Sequence, residues 1–154
     1  MRICTVTTVG NNSIFIDTNV LVFASVVTAP LHAIARQTLV ELSAAGNNLW
    51  ISRQVLREYL ATLSRPQNFT IALSPGALKK DVEDFQNQFL VAEDNFEVTQ
   101  NLLDLLQKYT VGGRQIHDAN IVATMLAYDI PQLITHNVSD FKRFSNLINL
   151  ISLE

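Results

Sequence analysis

Residues 13–22 read Ser13-Ile14-Phe15-Ile16-Asp17-Thr18-Asn19-Val20-Leu21-Val22. Three apolar residues lead into Asp17, and apolar residues resume at Val20. A short unbroken apolar run reads as a strand buried on both faces, because a half-exposed strand would alternate. A carboxylate at the end of such a strand is costly unless it caps a helix, is hydrogen-bonded or meets a cation. The neighbouring segments bear on which of these applies.

Downstream, residues 30–45 predict a helix, with Pro30 at its start, apolar Ile34, Leu39, Val40 and Leu42, and Gly46 at its end. Residues 49–52 (LWIS) predict a second short strand, and Ser52 is placed to cap a helix over residues 53–63 that Arg65-Pro66 ends. Ser74-Pro75 opens a helix reaching about Leu90, followed by a strand at residues 96–99 (FEVT) and a helix at residues 100–109. Gly112-Gly113 separates that helix from the next, residues 116–128, which stops before Pro131. Residues 132–135 (QLIT) predict a fourth strand, residues 140–144 a helical turn, and residues 147–151 a fifth strand. Short apolar strands alternating with helices define an α/β fold with a mainly parallel sheet. Ligands of such sheets sit beyond the carboxyl ends of the strands, where the strand order reverses. Asp17 ends the first strand, and Asn137 and Asp140 closely follow the fourth.

Within the helix that begins near Ile116, successive residues turn by about 100°. Ile121, Val122, Met125 and Leu126 then form an apolar stripe three, four, seven and eight positions after Asp118. Asp118 therefore projects from the buried face in the first turn, with capping as the plain alternative to a ligand role. His117, Asn120 and Thr124 fall on the other side. Glu58 lies off the edge of the stripe Val55, Leu56, Tyr59, Leu60 and Leu63, where a solvated glutamate is the ordinary expectation. Asp140 reads in isolation as a cap for the turn after it. Together, Asp17, Asp118 and Asp140 stand at strand ends or helix starts, where an α/β sheet builds its site.

With 154 residues, 48% hydrophobic and 16% charged, the chain is long enough for one domain with a sizeable core. Residues 1–12 read as a loose tail or an extra strand, ahead of a domain over residues 13–154. No apolar run approaches the roughly 18 residues of a membrane span, and the N-terminus lacks the apolar core of a secretory signal. The single cysteine, Cys4, excludes an intrachain disulfide and a thiolate metal site, and fits a reducing cytoplasm. A formal charge of −3, from 11 basic and 14 acidic residues, argues against a strongly basic nucleic-acid coat. It leaves room for a local basic rim at Arg53, Arg57, Arg65, Lys142 and Arg143, and for clustered acids awaiting a cation.

Four pieces carry a resemblance: IDTNVLV at Ile16–Val22, REYL around Glu58, HDANIVATML around Asp118 and LITHNVSDF near the end. In this order and at these separations they resemble the PIN domain, especially the VapC-type toxin ribonucleases of prokaryotic toxin–antitoxin pairs. The resemblance covers about Ser13 to Ile151. It implies a three-layer α/β/α sandwich with a central, mainly parallel sheet of four to five strands. It further implies an acid cluster that binds Mg²⁺ or Mn²⁺ and cleaves RNA, an antitoxin partner and, commonly, a homodimer. Carried over residue by residue, Asp17, Glu58 and Asp118 are metal ligands and catalytic acids. The family often has an acid where this chain has Asn137, so Asp140 is the candidate for the fourth.

The implied chemistry suits these residue types. Mg²⁺ takes oxygen ligands and keeps several waters, and clustered carboxylates repel one another until a cation offsets them. Thr18, Asn19 and Thr135 would orient acids or metal-bound waters, and Arg114 and His117 flank Asp118 where a phosphate could lie. A PIN fold that binds RNA or protein without cutting is the alternative. A haloacid-dehalogenase phosphatase would want Asp where Asn19 stands, a response-regulator receiver has a different pattern, and no P-loop is present.

Overall fold

Strand β1 (Ser13–Ile16) is buried along its whole length, as its apolar sequence demands. The computed structural model describes residues 12–154. Apart from Asn12, the expectation of a tail or extra strand at residues 1–12 lies outside the described residues. After β1 come α1 (Thr18–Ser25), α2 (His32–Ala44), β2 (Asn48–Ser52), α3 (Arg53–Leu63), α4 (Pro75–Gln88), β3 (Leu90–Ala92), α5 (Phe96–Lys108) and α6 (Gln115–Ala127). Strand β4 (Gln132–Thr135), a short α7 (Val138–Phe141), a 3₁₀ turn (Lys142–Phe144) and β5 (Asn149–Ser152) complete the chain.

The five strands form one sheet in the order β3-β2-β1-β4-β5, and every pairing is parallel. The chain moves outward from β1 to β2 and β3, then returns to the other side of β1 for β4 and β5. Right-handed crossovers with that reversal put α1–α4 on one face of the sheet and α5–α6 on the other. The α/β/α expectation is met, with five strands of the four to five expected. Phe15, Ile16, Ile51, Leu133 and Ile134 are each fully buried, consistent with a sheet covered on both faces. The strand order reverses at the β1–β4 junction, so the crevice of the fold opens beyond Ile16 and Thr135.

Two local expectations change. Residues 96–99 are not a strand. Asn95 caps a helix by accepting from the Val98 amide at 3.1 Å, and Phe96 is 80% exposed. The third strand is instead Leu90–Ala92, paired in register with Trp50–Ser52. By contrast, the capping role open to Asp17 is met: α1 follows β1 directly, with Asp17 as its N-cap. Second, α2 starts at His32, not Pro30, because Leu31 takes a left-handed conformation (φ 60°) at its N-cap. Gly46 follows that helix at φ 90°, a conformation glycine adopts without the penalty of a β-carbon.

The α6 stripe is also redrawn. Ala123 and Thr124 are buried while Leu126 is 37% exposed: α6 packs against α5, and its Ile121, Val122, Ala123 and Met125 belong to the main core. The Thr124 hydroxyl donates to the Asn120 carbonyl one turn back at 2.8 Å, which satisfies it inside the core.

Candidate active site

Asp17 both caps a helix and enters the crevice. Its backbone N–H donates to the Ile134 carbonyl at 3.0 Å, continuing the β1–β4 ladder by one bond. One carboxylate oxygen, Oδ1, accepts from the Thr18 amide at 2.8 Å as the α1 cap. The other, Oδ2, accepts from the Thr135 hydroxyl at 2.7 Å and the Asn19 amide at 3.3 Å. Asn19 also accepts from the His136 amide at 3.1 Å, and Thr135 Oγ1 accepts from the Asn137 amide at 3.0 Å. The ends of β1 and β4 are thereby tied through side chains. Thr135 is fully buried, so its hydroxyl serves Asp17 rather than solvent.

Glu58 is not a free solvated side chain. Its Oε2 accepts from the Thr18 hydroxyl at 2.6 Å, and its Oε1 from the Gln54 amide at 2.8 Å. The same Gln54 amide donates to the His117 carbonyl at 2.8 Å, and Gln54 Oε1 accepts from Asn120 at 2.7 Å. Gln54 and Asn120 belong to the site's framework although sequence patterning did not single them out. Gln54 is 5% exposed in a helix whose other buried residues are apolar or aromatic. A glutamine one turn before Glu58 was the only available signal.

Asp118 lies in the first turn of α6 but does not cap it; Arg114 occupies the N-cap position. Partial burial raises its pKa from 3.8 to about 6, helped by the negative charges of Asp17, Asp140 and Glu58 and opposed by His117. Burial likewise raises Asp17 to about 6, against the lowering effect of its bonds to Thr135 and Thr18, with Glu58 and Asp140 adding repulsion. The four predicted acids therefore feel one another's charge across a single crevice. Asp140 is exposed and sits inside α7, whose N-cap is Asn137 rather than Asp140. Asn137, Arg114 and His117 are exposed at the rim.

Among the described residues, no group of three His, Cys, Asp or Glu side chains lies close enough to surround one ion. The donors are nevertheless all carboxyl oxygens, and two of the carboxyls keep their protons up to about pH 6 through burial and mutual repulsion. Mg²⁺ or Mn²⁺ suits such donors, since Mg²⁺ retains several waters and is commonly held by only one or two carboxylates. The basic rim is largely committed elsewhere. Arg53 pairs with Glu93 at 2.8 Å, Arg57 reaches Asp94 at 3.5 Å, and Arg143 donates to the Thr110 carbonyl at 2.7 Å. Arg65 and Lys142 are exposed. A separate cavity of about 800 Å³ between α1, α2 and α4 lies away from the acids.

Residues 14–147 match the PIN domain family model, and the chain belongs to that family. Comparison with curated protein sequences returns no match. Among solved structures, the chain resembles DNA-bound VapBC from Salmonella typhimurium (TM-score 0.67, 18% identity, 92% of this chain and 98% of that one). It also resembles VapBC2 from Rickettsia felis bound to a promoter DNA fragment (0.65, 24%, 91% and 98%). A third is VapC20 of Mycobacterium tuberculosis, a sarcin–ricin loop cleaving toxin (0.60, 18%, 78% and 86%). At these identities the likeness is one of fold. No described helix is long and apolar enough to cross a membrane.

Proposed function

We propose that this chain is a Mg²⁺- or Mn²⁺-dependent endoribonuclease, the toxin of a toxin–antitoxin pair acting in the cytoplasm. The observation that carries the reading is the pair Asp17 and Asp118, whose carboxyls are both pushed up to about 6 in one crevice. Such an arrangement costs stability when both are ionised, and a divalent cation would offset that cost. The complexes among the structural relatives favour a protein antitoxin, and the loop-cleaving relative favours RNA as substrate.

In this reading Asp17 and Asp118 hold the ion, and Asp140 adds charge from α7. When bound, the ion supplies a water of lowered pKa and charge to stabilise the phosphorane-like transition state. Thr135 and Asn19 keep Asp17 Oδ2 oriented, while Thr18 and Gln54 hold Glu58. Each Glu58 oxygen accepts one bond and keeps a second lone pair, so Glu58 can serve as a ligand while Thr18 and Gln54 hold it. Arg114 and His117 stand where substrate phosphates would pass. The direct test is incubation of purified protein with pooled tRNA, rRNA and synthetic RNA under Mg²⁺, Mn²⁺ or EDTA, beside Asp118→Asn. Cuts that need metal and vanish in the variant are expected. RNA binding without cleavage under all conditions would overturn the enzyme reading in favour of a binding module.

A further inference from the structure

Gln54 uses three of the four hydrogen-bonding positions of its amide. Its two N–H groups donate to Glu58 Oε1 and to the His117 carbonyl, both at 2.8 Å, and its oxygen accepts from Asn120 at 2.7 Å. The amide orientation follows from chemistry. A carboxylate and a carbonyl on one side accept only, so the NH₂ must face them, and the oxygen is left for Asn120. Gln54 is 5% exposed, so water does not compete for these bonds. His117 is the residue before Asp118, and Asn120 lies two after it. Thr18 completes the connection, bonding Glu58 through its hydroxyl and Asp17 through its amide.

We propose that Gln54 is a positioning residue: its side chain clamps α3 to the first turn of α6 and so sets where Glu58 and Asp118 stand relative to each other. A bare pair of repelling carboxylates on separate helices would move apart, and a neutral amide between them resists this without adding charge. The functional consequence rests on the reading that these acids share a cation. The clamp itself does not depend on it.

The test compares Gln54→Leu, which keeps bulk but removes all three bonds, with Tyr59→Phe. The latter removes a buried hydroxyl bonded to Asp81 at 2.7 Å on the same helix. Mn²⁺ affinity of the metal-free proteins is read from the free Mn²⁺ electron paramagnetic resonance signal. Gln54→Leu should weaken it about 10- to 100-fold, the usual loss when a group orienting a ligand is removed. Tyr59→Phe should bind as wild type. In EDTA, amide hydrogen exchange over residues 117–119 should quicken roughly tenfold in Gln54→Leu alone, the equivalent of one lost hydrogen bond. The kcat for RNA should fall while KM changes little. Normal exchange in folded Gln54→Leu would overturn the clamp, and normal Mn²⁺ affinity would overturn its role in placing the acids. If wild type binds no Mn²⁺, the cation reading fails, and the exchange comparison still decides the clamp.

Discussion

In EDTA at pH 7.5, Asp17→Asn should be more stable than wild type, although it alters a buried, hydrogen-bonded residue. Asp17 is 7% exposed, and burial moves its pKa from 3.8 to about 6. At about 1.4 kcal/mol per unit, that shift costs the folded state ~3 kcal/mol once the group is ionised in both states. The sign follows from proton counts. Between pH 3.8 and 6 the folded chain holds a proton that the unfolded chain has released, so stability falls as pH rises through this window. Below pH 3.8 the cost is absent; above 6 it is complete.

The substituted asparagine would keep the oxygen that caps Thr18 but turn an NH₂ toward the Asn19 amide and the Thr135 hydroxyl, at a cost of about 1–2 kcal/mol. The net gain at pH 7.5 is then roughly 1–2 kcal/mol, or ~2–8 °C in Tm for a chain of this size. At pH 4 the order reverses, with the two stability curves crossing near pH 5. Urea denaturation followed by circular dichroism at pH 4, 5, 6 and 7.5 measures this directly; groups that do not sense Asp17 cancel in the difference, and the relief of Asp118 from the Asp17 charge adds to the variant's advantage at high pH. A wild-type advantage at every pH, or a gap that does not change with pH, would refute the assignment of Asp17 as a strained carboxylate. Mn²⁺ at 100 times its Kd should add ~2.7 kcal/mol to wild type and less to the variant.

Asp118→Asn should abolish metal-dependent RNA cleavage while retaining the far-ultraviolet spectrum, and should shrink the Mg²⁺-induced rise in Tm; equal shifts in both proteins would place the ion elsewhere. Thr135→Val should destabilise by about 1–3 kcal/mol in urea titrations, because it leaves the Asn137 amide and Asp17 Oδ2 short of partners. Removing the Thr135 donor should also raise the Asp17 pKa further, visible by carboxyl NMR titration as a midpoint above about 6.

The sheet was largely legible because its strands are short apolar runs ending in turn or cap residues. Ile14–Ile16 and Leu133–Ile134 could hardly be anything else. FEVT misled because it alternates like a strand, yet Asn95 starts a helix there. The real third strand has three residues, and its existence depends on pairing with β2, a tertiary fact. Asp17 was legible as a carboxylate out of place. Asp118 was found through a stripe that the structure redraws, since α6 buries Ala123 and Thr124 and leaves Leu126 partly exposed. Glu58 was not legible as a tied residue, because the hydroxyl it accepts from lies 40 positions away. Gln54 escaped for the same reason. A buried amide is recognisable only when its partners, here His117 and Asn120, are known to face it.

The bond between Thr135 and Asp17 joins residues 118 positions apart, across neighbouring strands that meet only after β2 and β3 have been laid on the opposite side. At 5–20 residues per second, a ribosome needs on the order of ten seconds after making Asp17 to supply Thr135. Throughout that interval the growing polypeptide carries its first acids without the hydroxyl that orients Asp17 or the strand that walls the crevice. The order of synthesis thus withholds the assembled centre until the chain is almost finished, so that a translation product interrupted before Thr135 carries Asp17 but neither Asp140 nor the completed pocket.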